Sequence, residues 1–218
     1  MNNLFPILAI ETSGETCSAA IMISPDNIFE MNLDGKHIHS EKLFEIIDKV
    51  VESSGIELKN LQGIAVSIGP GSFTGLRIGL SAAKGIASGL NIPLIPIPTF
   101  EALAYKLAPL INNNEKFGII KSAGLSDYYY SSYLKTSESL LKIEEIRLIN
   151  NDEINILLRD IKILFGDQDR NPIIKKVCGP NASDIAYWSY LFGKDLLTFD
   201  YDYLEPYYFK EFITKVKK

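Results

Sequence analysis

The chain has 218 residues, 46% apolar and 22% charged, an ordinary globular composition that suits one large domain or two small ones. Its 22 basic residues against 27 acidic ones leave a net charge of -5, which excludes a broad electrostatic grip on nucleic acid. The two cysteines, Cys17 and Cys178, exclude a disulfide framework and a thiolate metal cluster and fit a reducing cytoplasm. The apolar run Leu4 to Ile10 has no basic residue before it and stops at Glu11, too short for a secretory leader. No apolar stretch approaches the roughly 20 residues of a bilayer span, so no membrane association is expected and the expected location is the cytoplasm.

In chain order, Leu4 to Ile10 reads as a buried strand, Thr12, Ser13 and Gly14 as a polar turn, and Ser18 to Ile23 and Asn27 to Leu33 as two further strands. From Ser40 to Ser54, Leu43, Phe44, Ile46, Ile47, Val50 and Val51 recur at helical spacing, with Gly55 as the stop. Gln62 to Ile68 is the next strand, GPGSFTG opens a helix from about Leu76 to Gly89, and Ile92 to Ile97 is again a strand. Three strands before the first helix differ from a doubly wound dinucleotide fold, in which every strand is followed by a helix. A second half of similar order follows: a helix at Thr99 to Leu107, strands at Phe117 to Lys121, Tyr128 to Leu134 and Leu141 to Leu148, a helix at Asp152 to Arg159, a strand at Ile161 to Phe165 and a helix at Ala182 to Phe192. The aromatic tail beyond Asp195 has no clear period, and its LEPYYFKEF segment is expected to pack as extended chain.

The sharpest motif is GPGSFTGLRIGLSAAKG, Gly69 to Gly85. Its glycines permit a tight turn, and Ser72 or Thr74 can cap the helix that follows, leaving amide groups that suit an anion. The spacing is neither GxGxxG nor a phosphate loop ending in Gly-Lys-Ser/Thr, so a structural turn and an anion site both stand. Thr12, Ser13, Gly71, Ser72, Thr74 and Arg77 are the candidate nucleotide or anion residues. Further along, Gly79, Ala82, Ala83, Gly85 and Gly89 make an unusually small-sided helix. Each interior glycine costs up to about 1 kcal/mol relative to alanine, which calls for close approach by another element, either this chain's own sheet or a partner's helix. His37 and His39 are the only histidines, and His39 or Ser40 is expected to cap the helix beginning there. Tyr128, Tyr129, Tyr130 and Tyr133 are expected to be sheet residues with solvated hydroxyls.

Four segments occur in the order and spacing of the bacterial TsaB (YeaZ) family: LAIETS at Leu8–Ser13, HSEKL at His39–Leu43, GPGSFTGLRIG at Gly69–Gly79 and IPLIPIPTFEALA at Ile92–Ala104. The chain resembles that family strongly over its first half and weakly over its second. The resemblance implies an α/β fold of the actin-like ATPase type, a ribonuclease H-like (ASKHA) duplication with two lobes. Residues 1–103 would be the lobe carrying partner-docking helices, and 104–218 a smaller lobe and tail. It implies a non-catalytic paralogue of the transferase TsaD. Such a subunit supports threonylcarbamoylation of the adenosine beside the tRNA anticodon by pairing with TsaD, together with the ATPase TsaE, and forms a homodimer in isolation. tRNA would be reached through the complex. The docking surface it implies falls on the helices 40–54 and 76–89, with Leu43, Ile47, Val50, Leu76, Gly79, Ala82, Ala83 and Ile86 as candidate contacts. No cofactor is implied for the isolated chain, and ATP or ADP with magnesium belongs to the interface of the complex.

The catalytic paralogue is the nearest rival. Proteins resembling TsaD carry a His-x-x-x-His metal pair on the helix after the fifth strand; here those positions are Thr99 and Leu103, neither of which supplies an imidazole. Glu11 stands where an actin-like ATPase would have an aspartate, and Ser122, Ala123 and Gly124 replace the family's Asp-Ala-Arg turn. A weak ATPase remains the alternative reading, whereas a peptidase lacks any Ser/His/Asp, Cys/His or HExxH set.

Overall fold

In the computed structural model, which describes residues 4–35, 37–124, 127–167 and 174–207, the chain forms two five-stranded sheets. The first contains β1 (Ile7–Glu11), β2 (Thr16–Ser24), β3 (Asn27–Asp34), β4 (Gly63–Gly69) and β5 (Leu94–Pro98), in the order β3-β2-β1-β4-β5. β1 is central, antiparallel to β2 and parallel to β4, and all five of its residues are buried. That is why ILAIE shows no alternation: a strand covered on both faces needs an unbroken apolar run.

Four helices make the cover. α1 (His39–Ser54) and α2 (Phe73–Leu90) lie on one face, where Leu43, Ile46, Ile47, Val50, Leu80, Ala83 and Ala87 join Leu8, Ile10, Ala19, Ile21 and Val66 in one core. α3 (Thr99–Leu107) and α5 (Ala182–Phe192) contribute to the other face. There Ala9 stands opposite Ala20 on one neighbour and Ala65 on the other, a rung of small side chains that lets Ala182 and Ala186 of α5 come close. Burying each larger side chain, such as Ile185 or Trp188, contributes roughly 1.5–3 kcal/mol.

The second sheet contains β6 (Glu115–Ser122), β7 (Asp127–Lys135), β8 (Leu140–Asn150), β9 (Ile163–Gly166) and β10 (Ile174–Lys176), with α4 (Asn151–Asp160) between β8 and β9. Its order, β10-β9-β6-β7-β8, repeats the first sheet read from the opposite edge, down to the antiparallel β6–β7 and parallel β6–β9 pairs. The duplicated, two-lobed actin-like fold is therefore present. Its second core gathers Phe117, Ile119, Tyr133 and Phe165.

The structure departs from expectation in several places. The boundary at residue 103 cuts α3, whose Ala102 joins the first lobe's core while Phe100, Leu103, Ala104 and Leu107 join the second's. α5 and the chain after it return to the first lobe instead of completing the second: Thr198 pairs with Leu94, and the Tyr201 hydroxyl donates to the Ile92 carbonyl at 2.8 Å. β10 was not anticipated, because three residues reading IKK carry no alternation. α1 starts without a side-chain cap: Ile38 occupies that position, and His39 lies inside the helix, buried. Tyr130 and Tyr133 are buried, the Tyr130 hydroxyl donating to Glu144 at 3.2 Å and the Tyr133 hydroxyl having no hydrogen-bond partner among the described residues. Of LEPYYFKEF, Leu204 packs on the first core and the Tyr207 amide donates to the Ile68 carbonyl at 2.8 Å; residues 208–212 lie outside the described residues.

Candidate functional site

α1 and α2 lie side by side on one face of the first sheet, and each divides sharply between an inward and an outward side. Leu43, Ile47, Val50, Leu76, Gly79, Ala82 and Ala83 are all buried among this chain's own residues, and Ile86 is half-buried against the same core. Those eight candidate contacts therefore face inward, because the periodic apolar stripe of a helix marks the side its own sheet covers. The outward side of α1 is Ser40, Glu41, Phe44, Glu45, Asp48, Lys49 and Glu52, and Phe44 is 57% exposed among those charges. The outward side of α2 is Thr74, Arg77, Ser81, Gly85, Ser88 and Gly89.

The glycines of α2 fall into two kinds. A Cβ on Gly75 or Gly79 would collide with the Thr12 carbonyl or the Thr12 hydroxyl, so these glycines let the helix lie against the turn after β1. A Cβ on Gly85 or Gly89 would meet nothing within 4 Å among the described residues.

The turn after β1 meets the start of α2 through a tight set of hydrogen bonds. The Thr12 hydroxyl donates to the Gly75 carbonyl at 2.8 Å, and the Ser72 amide donates to the Ser13 carbonyl at 2.8 Å. Ser72 caps α2 by accepting from the Gly75 amide at 3.2 Å. Gly71 sits so close to Ser13 that an added Cβ would lie 2.6 Å from its carbonyl oxygen, and Gly69, with φ of 114°, adopts a backbone closed to most side chains. Thr12, Ser13, Gly71 and Ser72 thus come together, but Thr12, Ser13 and Ser72 already bond to one another or to Gly75. Thr74 is exposed at the rim, and the Arg77 guanidinium lies 3.9 Å from the centroid of the Phe73 ring.

Between the lobes lies a cavity of about 690 Å³, lined by Ser13, Ser72, Thr74, His39, Lys121 and Asp167 among others. Lys121 and Asp167 were missed in the sequence, although each closes an apolar strand run, FGIIK and ILFGD. The Lys121 ammonium crosses from the second sheet to donate to the Ser13 carbonyl at 2.8 Å and to its hydroxyl at 3.3 Å. Asp167 accepts from the Ser122 amide with both oxygens, at 3.1 and 3.2 Å, tying β9 to β6. Beneath Ser13, Glu11 is buried; one of its oxygens accepts from the Ser13 amide, and the other has no hydrogen-bond partner among the described residues. Burial pushes the Glu11 carboxyl up and the Lys121 ammonium down from their ordinary ranges, and each charge opposes the other's shift. His39 is pushed down by burial, against the opposing effect of the Thr16 and Gly14 backbone.

At the positions where the catalytic paralogue would carry its histidine pair, Thr99 accepts from the Gly69 amide at 3.0 Å and Leu103 is buried in the second core. Both are committed to packing. Among the described residues no helix is long and apolar enough to cross a membrane.

The family described as TsaD, tRNA N6-adenosine threonylcarbamoyltransferase, matches residues 35–158. The tRNA threonylcarbamoyladenosine biosynthesis protein TsaB of Buchnera aphidicola subsp. Schizaphis graminum is 32% identical over 191 residues, 82% of this chain and 90% of that protein. TsaB of Haemophilus influenzae is 32% identical over 135 residues, 62% of this chain but only 56% of that protein. Among solved structures, YeaZ from Pseudomonas aeruginosa superimposes with a TM-score of 0.75 at 19% identity, covering 93% of this chain and 99% of that one, which is a likeness of fold. With the two-lobed architecture and the turn between β4 and α2 in place, these relationships identify the chain as a member of the TsaB (YeaZ) family.

Proposed function

We propose that this chain serves the biosynthesis of tRNA threonylcarbamoyladenosine in the cytoplasm as a non-catalytic scaffold, docking the transferase TsaD through the outward sides of α1 and α2. The relatives named for that pathway support the biosynthetic role. The observation that carries the docking surface is the outer side of α2: among the described residues nothing lies over Gly85 or Gly89, so no described residue offsets the helix stability each of them costs. A second helix laid against Ser81, Gly85 and Ser88, with Phe44 of α1 beside it, supplies that offset. Thr99 and Leu103, both engaged in packing, support a subunit without the transferase chemistry.

TsaE joins this complex, and the same surface closes a homodimer when TsaD is absent, since one self-complementary face serves either partner. ATP or ADP with magnesium belongs to the interface with TsaD rather than to the isolated chain, whose Thr12, Ser13 and Ser72 already bond to one another or to Gly75. The test is co-purification with the cognate TsaD, using Gly85→Trp and Phe44→Glu at exposed positions. Both variants should fold and bind at least about tenfold more weakly. Undiminished binding by the two would place the surface elsewhere, and unchanged threonylcarbamoyladenosine in tRNA from cells depleted of the chain would remove the biosynthetic role itself.

A further inference from the structure

We infer that Lys121 is a latch that sets how far the cleft between the lobes opens, joined to the start of α2 through one backbone oxygen. The Ser13 carbonyl accepts two hydrogen bonds, one from the Lys121 ammonium of the second lobe and one from the Ser72 amide at the cap of α2, each at 2.8 Å. A carbonyl has two lone pairs, and here both are taken by groups from different elements. The Ser13 amide donates to Glu11, and the Ser13 hydroxyl accepts from Lys121. One residue therefore joins the end of β1, the cap of α2 and the end of β6.

The lobes can move as bodies, because each has a core of its own, with α3 contributing to both. At the cleft they approach closely: a Cβ on Gly14 would lie 3.0 Å from the Cys178 carbonyl and 3.8 Å from the Lys121 ammonium. Opening the cavity has to pull that ammonium off both Ser13 atoms and away from the negative charge of Glu11, while Asp167, on the same lobe as Lys121, stays beside it. Charge and hydrogen bonding thus favour the closed arrangement, and a lysine stem is long enough to reach across the 690 Å³ cavity's floor from β6. Release of the latch leaves the Ser13 carbonyl held by Ser72 alone, so cleft opening and the first turn of α2 respond together.

The experiment uses the full chain carrying Cys178→Ser with nitroxide labels at Ser53→Cys on α1 and Asn155→Cys on α4, all three positions being exposed. The distance distribution is measured by double electron–electron resonance with Lys121 intact, as Lys121→Met, and as Lys121→Gln, which is uncharged and too short. The intact latch should give one narrow distance, and both variants a longer and broader one. Amide exchange across Ser72 to Gly75 should accelerate on the order of tenfold in the variants. An unchanged distance distribution in either folded variant overturns the latch. Failure of both variants to fold overturns it too, because lobes with separate cores survive the release of a latch between them.

Discussion

Replacing Gly79 by alanine and, separately, Gly85 by alanine makes the same chemical change twice on one helix, with opposite expected signs. At Gly79 the new Cβ enters the space of the Thr12 hydroxyl, with Thr12 Cβ at 3.4 Å and Ile10 Cγ2 at 3.5 Å behind it. Thr12 is fully buried and its hydroxyl is held by the Gly75 carbonyl, so neither side can yield without losing that bond. Helix propensity returns about 1 kcal/mol. Overpacking costs about 1–3 kcal/mol and the lost hydrogen bond about 1 kcal/mol, leaving a net destabilisation of about 2 kcal/mol. At Gly85 nothing lies within 4 Å among the described residues, so only the propensity gain remains, a stabilisation of about 1 kcal/mol. For a chain of this size those changes correspond to a Tm about 4–8 °C lower for Gly79→Ala and about 2–4 °C higher for Gly85→Ala. Urea unfolding followed by circular dichroism measures both. A Gly79→Ala protein as stable as the parent would refute the close contact between α2 and the turn after β1. A destabilised Gly85→Ala would show that the outer side of α2 is already covered by its own chain.

Three further outcomes follow from the same geometry. Thr12→Val, which keeps shape and removes the hydroxyl, should lower stability by about 1 kcal/mol in the same urea assay, and no loss would mean that the bond to Gly75 contributes nothing. An aromatic disulfide reagent at neutral pH should titrate one thiol in the native protein and two in denaturant: Cys178 is exposed, while Cys17 is buried with its thiol pushed up to about 11, so a second rapid native reaction would contradict the burial. His39 is held below its ordinary pKa by burial, so the folded state binds fewer protons there than the unfolded chain; its contribution is present above the ordinary histidine pKa and is lost as pH falls below that value. The decline in unfolding free energy between pH 7.5 and 5.5, a range of about two units around that pKa, should therefore be shallower in His39→Gln than in the parent, and equal slopes would remove the argument.

The first lobe was legible because its signals are redundant. Leu43, Ile46, Ile47 and Val50 keep helical spacing over a whole element, and the unbroken ILAIE run announces a central strand. The direction in which α2 faces was not legible. Small residues at 79, 82 and 83 signal close approach, yet sequence does not say by what, and the approaching element proved to be the turn after β1 and the sheet beneath it. The same apolar and small residues that suggested a surface for a partner are those the helix needs for its own sheet, whereas the exposed side, with Gly85 and Phe44, breaks the pattern. The cleft was half legible. Thr12, Ser13, Gly71 and Ser72 stand out in two short motifs, but Lys121 reaches Ser13 across 108 residues of chain, and Asp167 is brought to β6 only by the pairing of β6 with β9, across 45 residues. The short β10 and the return of α5 likewise depend on tertiary contacts that leave little local trace.

The return of α5 makes the first lobe discontinuous along the chain. β5 ends at Pro98, while the helix that shields Ile7, Ala9, Met22 and Ala65 does not begin until Ala182. A nascent chain carrying only β1 to α3 would therefore display a largely bare apolar side of its sheet until α5 has left the ribosome. A fragment cut anywhere before α5 would keep that side bare and be prone to self-association.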